Sequence, residues 1–210
     1  MGETKERILL EALRLFAANG YEGVSVSDIA GALGITKGAL YRHYPSKRAI
    51  FDSILTRMEQ RDAEQAQGHG LPEGTLAETE DAYRAATVDA VIAFSKAMFR
   101  YWTQDDFAAR FRRMLTLEQF RSPEMGRLYQ QYLASGPVGY VADLFAGLGI
   151  AQPQRKAVEF YAPMFLLYSV YDGTEQKEDV ASMLDGILEK ARSRLQKETE
   201  GIQEKEDYYE

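Results

Sequence analysis

The chain has 210 residues, of which 25 are Lys or Arg and 32 are Asp or Glu, for a net charge of −7, and 45% of its residues are hydrophobic. This length and apolar content suit one large helical domain, or a small domain joined to a larger one. With no cysteine, disulfide frameworks and thiolate chemistry are excluded, and no apolar run approaches the ~18 residues of a membrane span.

The longest apolar run, YAPMFLLYSVY from Tyr161 to Tyr171, is interrupted by Pro163 and Ser169. The opening MGETKERILLEALRLF is charged and then amphipathic, without the continuous apolar core of a signal peptide. These features predict a cytoplasmic protein that makes no use of a membrane.

Leu9, Leu13 and Phe16 follow an i, i+4, i+7 pattern, which predicts a first helix over Lys5 to Asn19. Gly20 fits its stop, because glycine takes a positive φ without a Cβ penalty. Ser25 with Asp28 resembles a capping box at the start of a second helix, which Gly34 ends. Thr36 caps a third helix, barred from passing Tyr44 by Pro45. Ser46 caps a fourth, with Ile50, Ile54 and Met58 on one face. The stretch GHGLPEGT, Gly68 to Thr75, marks a soft boundary.

Beyond it, Ala86, Ala90, Phe94, Met98 and Tyr101 are expected to line one helix face, and Phe107, Phe111 and Met114 another. Met125, Leu128 and Tyr132 begin a further helix, kinked or broken at Gly136-Pro137. AGLGIAQP, Ala146 to Pro153, reads as a turn. Val180, Leu184, Ile187, Ala191 and Leu195 make a long final stripe. The acidic tail KETEGIQEKEDYYE reads as a frayed helix end or a solvated extension. No β-like alternation is present, so the expected class is all-α.

Charge is unevenly placed. From Ile29 to Phe51 the chain holds Lys37, Arg42, Lys47 and Arg48 and no acid, a local +4 inside an acidic protein. The second and third helices form a helix-turn-helix pattern. Ala30 is small where the helices cross, Gly34 takes the turn, and Leu40 anchors the second member, with Ile29, Leu33 and Ile35 completing a small core. The third helix begins with Thr36, Lys37, Gly38 and Ala39, short or flexible residues that let a backbone approach DNA. Tyr41, His43, Tyr44 and Lys47 add hydroxyl, imidazole and ammonium donors. Lys37 suits a guanine edge, while Tyr41 and Lys47 suit phosphate.

The stretch Ile8 to Leu55, with G-Y-x-x-x-S-V, D-I-A, L-G-I-T-K-G-A-L-Y-R-H-Y and S-K in order, resembles the tetracycline-repressor (TetR/AcrR) family of bacterial transcription regulators. RFRRMLTLEQFRSPEM and EFYAPMFLLYSVYDG are similar to the C-terminal domains of some members. Most members have Phe where Tyr44 stands. The resemblance implies an all-α homodimer with an N-terminal three-helix DNA-binding domain (1–50) and a larger helical ligand-binding and dimerisation domain (51–210), linked by a helix at about 47–66. It implies a ligand-responsive regulator, by family default a repressor, released from double-stranded operator DNA when a small molecule tilts the fourth helix. Position by position it implies DNA contacts at Ser27, Thr36, Lys37, Gly38, Ala39, Tyr41, Arg42, His43 and Lys47.

The segment from Phe94 to Tyr171 is dense in Phe, Tyr and Met. Phe94, Met98, Trp102, Phe111, Met114, Tyr129, Tyr132, Phe165 and Tyr168 are the candidate lining of a pocket for a hydrophobic or amphipathic effector, against the plainer expectation of ordinary core. Glu118 and Glu159 read as surface carboxylates, each able to partner a cation. The final stripe and the helix carrying Val158, Ala162 and Phe165 are candidate dimer surfaces. With two histidines, no cysteine, no G-x-S-x-G elbow and only a lone GLGIA, neither enzyme chemistry nor a metal or cofactor is expected. The alternative reading is a helical ligand carrier or interaction module without specific DNA binding.

Overall fold

The computed structural model describes residues 2–67, 71–72 and 76–209, and among these no strand occurs. The helices are α1 (Glu3–Asn19), α2 (Val26–Ala32), α3 (Lys37–Tyr41), α4 (Lys47–Gln67), α5 (Glu80–Arg84), α6 (Val88–Gln104), α7 (Asp106–Glu118), α8 (Pro123–Leu133), α9 (Ser135–Gly147), α10 (Pro153–Gly173) and α11 (Lys177–Tyr209). The expected boundary at Gly68 to Thr75 lies, apart from Leu71 and Pro72, outside the described residues.

By packing, the chain forms two compact units: Met1–Glu64 with Gln104–Gln130, and Gln65–Thr103 with Gln131–Glu210. The sequence reading divides the chain at residue 50, whereas packing joins α7 and most of α8 to the N-terminal helices.

In the first unit, α1 buries Ile8, Leu9, Ala12, Leu13 and Phe16, the stripe its periodicity predicts. The α4 residues Ile50, Ile54 and Met58 are fully buried, and α7 lies along α1. Asp105 caps α7, its carboxylate accepting from the amides of Phe107 and Ala108 at 3.0 Å each. Asp62, on α4, is half-buried, and desolvation pushes its carboxyl from the ordinary 3.8 up to about 6. A raised carboxyl pKa favours the folded state below pH 4, and that contribution fades as pH rises through 6. Asp62→Asn is therefore expected to stabilise the protein by about 1–2 kcal/mol at pH 8, discounted for partial exposure, with no gain below pH 4. Urea titrations at both pH values check this.

In the second unit, α9 packs on α10 and α5, and α10 on α11. A Cβ on Gly147 would stand 2.6 Å from the Tyr83 carbonyl oxygen, so this glycine lets α9 close onto α5. The chain breaks at Ala134, leaving Gly136 and Pro137 in the first turn of α9, as their sequence predicts. The AGLGIAQP turn is also present, with Gly149 at φ 74° and Gln152 at φ 54°.

Two face assignments need correction. Ala86 precedes α6, because Thr87 caps that helix by accepting from the Ala90 amide at 3.1 Å. The buried face of α6 holds Val91, Ile92, Ser95, Phe99 and Trp102; of the predicted face Tyr101 is buried, while Ala90, Phe94 and Met98 are half-buried. Of the α11 stripe, Val180, Leu184 and Leu195 are buried within the subunit, as is Leu188 beside them, while Ile187 and Ala191 are half-buried. Beside the polar Gln154, Arg155, Glu159 and Ser169, α10 leaves four large apolar residues exposed, Val158, Phe165, Leu166 and Val170, and α11 adds Met183. The backbone of the acidic tail continues α11 to Tyr209.

Candidate nucleic-acid interface

Local chemistry builds the helix-turn-helix. The Ser25 hydroxyl accepts from the Asp28 amide at 3.2 Å, and the Asp28 carboxylate accepts from the Ser25 amide at 2.7 Å. These bonds to Ser25, its side chain first and then its amide, hold the Asp28 carboxyl below its ordinary range. Ile29, Ala30 and Leu40 are buried at the helix crossing. Gly34 takes φ 66°, and the Ile35 amide donates to the Ala30 carbonyl at 3.0 Å. Thr36 caps α3 by accepting from the Ala39 amide at 3.1 Å. The small residue, the turn glycine, the anchor and the cap therefore all occupy their expected places.

This scaffold presents a solvent-facing group. Ser27, Thr36, Lys37, Gly38, Tyr41, Arg42 and His43 are exposed and Ala39 is half-buried. Tyr41 is 48% exposed. Among the described residues, the side chains of Lys37, Tyr41, Arg42 and His43 make no hydrogen bond. Four donors thus stand without hydrogen-bond partners among the described residues, Lys37 near enough to Asp28 to help stabilise its carboxylate, in a stretch with no acid from Ile29 to Phe51.

Two expected donors are placed differently. Tyr44 is 2% exposed, its hydroxyl 3.5 Å from the Lys5 carbonyl oxygen, and the Lys5 ammonium stands 5.1 Å from its ring centroid. It belongs to the core. Lys47 donates to the Tyr21 carbonyl at 2.9 Å, lies 4.2 Å over the Tyr21 ring, and stands 3.9 Å from Glu22. Its ammonium ties the α1–α2 turn to the start of α4.

Ion pairs brace this unit. Arg48 makes a bidentate contact to Glu124 at 2.7 Å and a bond to Asp52 at 2.7 Å. Arg57 grips Glu6 through two bonds of 2.5 Å, and this guanidinium holds the Glu6 carboxyl below its ordinary range. Arg61 bonds Asp105 at 2.6 Å. Both guanidinium groups lie over the Phe107 ring, at 5.6 and 5.4 Å. Bidentate geometry fixes orientation as well as distance, so these pairs tie α4 to α1, to the start of α7 and to α8.

Glu118 is not the surface carboxylate its sequence suggests. It is fully buried, neither carboxylate oxygen has a hydrogen-bond partner among the described residues, and Arg121 is 3.5 Å away. A Cβ built on Gly20 would stand 2.2 Å from Glu118 Oε1. No sequence signal marks this contact, which exists because α7 lies against the end of α1. Glu159 is exposed and paired with Arg155 at 2.9 Å.

The candidate effector positions divide between the units. Phe111, Met114 and Tyr129 belong to the first, where Phe111 and Met114 are fully buried. Phe94, Met98, Trp102, Tyr132, Phe165 and Tyr168 belong to the second. There Trp102 meets Tyr132 at 6.4 Å, Tyr168 stacks on Phe99 at 5.4 Å, and Phe94 meets Tyr140 at 5.7 Å. Phe165 is 41% exposed, which suits a surface role better than a pocket wall. Among the described residues no cluster of metal-ligating side chains occurs, and no helix is long and apolar enough to cross a membrane.

Residues 8–54 match the family model described as bacterial regulatory proteins, tetR family. Over 52 residues the chain is 44% identical to the HTH-type transcriptional regulator AcrR of Shigella flexneri, covering 25% of this chain and 24% of that protein. Over 51 residues it is 40% identical to IcaR of Staphylococcus aureus, a negative regulator of the biofilm operon icaADBC, covering 24% and 27%. The chain thus matches only about a quarter of the length of these relatives. The fold is similar over a longer range. Salmonella enterica GusR aligns with a TM-score of 0.60 at 20% identity, over 95% of this chain and 98% of that one. The flavonoid-responsive regulator FrrA aligns at 0.54 and 21% identity, over 92% and 97%.

Proposed function

Since the chain belongs to the tetR family of bacterial regulatory proteins, we propose that it is a cytoplasmic, ligand-responsive transcription regulator, a homodimer that represses by binding operator DNA. The observation that carries this reading is the set of unbonded donors on α3, Lys37, Tyr41, Arg42 and His43, presented on a capped and ion-braced scaffold. Lys37 reads a base edge. Tyr41, Arg42, His43, Ser27 and Thr36 position the helix on phosphate and sugar. Gly38 and Ala39 keep the α3 backbone close, and Lys47 adds a phosphate contact beyond its bond to Tyr21. In functional terms, residues 1–50 bind DNA and 51–210 bind effector and partner, with α4 linking them.

The exposed apolar residues of α10, Val158, Phe165, Leu166 and Val170, form the self-complementary dimer surface, since a C2 interface pairs one patch with itself. Paired reading helices then sit about 34 Å apart, or a simple multiple of that. Replacing Phe165 and Leu166 together with Glu is expected to convert dimer to monomer in analytical ultracentrifugation and to abolish operator binding at concentrations where the wild type is saturated. A variant that stays dimeric would place the interface elsewhere.

The effector is a small hydrophobic or amphipathic molecule received by the aromatic second unit, a reading supported by the description of the similarly folded FrrA as flavonoid-responsive. Footprinting on DNA upstream of its own gene tests the regulator reading. Two protected half-sites, released by an effector, are expected, and continuous protection of any sequence would contradict it.

A further inference from the structure

The second unit carries a groove of about 200 Å³ that uses none of the aromatic positions discussed above. Its floor is Phe145, Phe160 and Leu195, from α9, α10 and α11, which are 0%, 7% and 7% exposed. The two phenyl rings meet edge to face at 5.5 Å. The rim carries charge, most of it committed. Lys156 is paired with Glu198, whose carboxylate also accepts from the Ala151 amide at 3.3 Å. Glu159 is paired with Arg155. Arg194 is the exception: it is exposed, and among the described residues it makes no hydrogen bond or ion pair.

An apolar floor beside one uncommitted guanidinium defines a ligand. The body must be apolar, and the head must be an anion that accepts the planar fork of Arg194. The groove is smaller than the pockets that hold drug-sized molecules, leaving room for roughly ten heavy atoms. Two glutamates on the rim disfavour a second negative charge. We propose that this groove binds a small amphipathic monocarboxylate, an aryl or short acyl acid, with its carboxylate on Arg194 and its body against Phe145, Phe160 and Leu195. By helical spacing, Lys156 and Phe160 stand on the side of α10 opposite Val158 and Phe165, while Glu159 stands on the side of Leu166 and Val170. Nothing in this inference depends on DNA binding.

The test uses the full chain and 4-fluorophenylacetate, followed by ¹⁹F NMR line width, with 4-fluorophenylacetamide as the uncharged control. Saturable broadening by the acid is expected, with the amide about fivefold weaker. Arg194→Ala should bring the acid down to the amide, and Ala191→Phe, which fills the groove, should remove both. Circular dichroism melts identify any variant that has unfolded, and Arg194→Lys, which keeps the charge, should retain part of the preference for the acid. Absence of saturable broadening, equal binding of acid and amide, or full binding by Arg194→Ala overturns the proposal. Binding that survives Ala191→Phe overturns its location.

Discussion

Replacing Lys37 and Tyr41 together with alanine is expected to lower operator affinity by about 100-fold or more while leaving the melting temperature unchanged. The size follows from one lost base contact and one lost phosphate contact, each costing about 1–3 kcal/mol. The unchanged stability follows from structure. Both side chains are exposed and neither makes a hydrogen bond among the described residues, so truncating them uncovers no core and orphans no partner. The two losses should also differ in kind. Without Lys37, binding becomes less selective among sequences. Without Tyr41, it weakens alike on all of them. Fluorescence anisotropy on operator and scrambled DNA separates these effects. Equal affinity of the double variant and wild type would remove α3 as the reading element.

Gly20→Ala is expected to cost about 3–4 kcal/mol of stability, from two sources. Gly20 has φ 77° and ψ 158°, a backbone region that residues with a Cβ rarely adopt. The new methyl would also stand 2.2 Å from Oε1 of the buried Glu118. In the wild type, that carboxylate occupies the space a side chain would need. Its own burial is costly, because it has no hydrogen-bond donor among the described residues apart from the ion-pair contact of Arg121. Adding Glu118→Ala to Gly20→Ala should therefore recover part of the loss. The steric term disappears, while the dihedral term remains. A double-mutant cycle in urea measures the two separately. A Gly20→Ala variant with the wild-type midpoint would mean that α1 and α7 do not meet as described.

The helix-turn-helix is legible because its determinants are local. Ser25 and Asp28 find each other three residues apart, Gly34 takes its positive φ without help, and Thr36 caps its own helix. Such features act within one turn of chain, so spacing alone exposes them. The features that escape sequence reading depend on a partner far along the chain. Tyr44 looks like a donor beside His43 until Lys5 and α1 enclose it. Lys47 looks like a free cation until Tyr21 claims one of its protons. Glu118 looks like a surface acid because nothing in LTLEQF announces the end of α1 against it. The α6 face fails for another reason. VDAVIAFSKAMFRYW is apolar on more than one side, so two stripes fit the same period, and packing selects the one through Val91, Ser95 and Phe99. The aromatic positions between Phe94 and Tyr171, contiguous in sequence, divide between the two units because packing assigns α7 and most of α8 to the first.

The most direct test of the central claim is the affinity of the purified protein for DNA upstream of its own gene, measured against random DNA by fluorescence anisotropy across a salt series. The account predicts that the cognate fragment binds about 10³-fold or more tightly than random DNA, with affinity falling steeply as salt rises and the excess lost in the Lys37→Ala, Tyr41→Ala variant. Equal binding of cognate, random and genome-selected fragments, unaffected by those two substitutions, would contradict it and leave the fold serving as a helical ligand carrier.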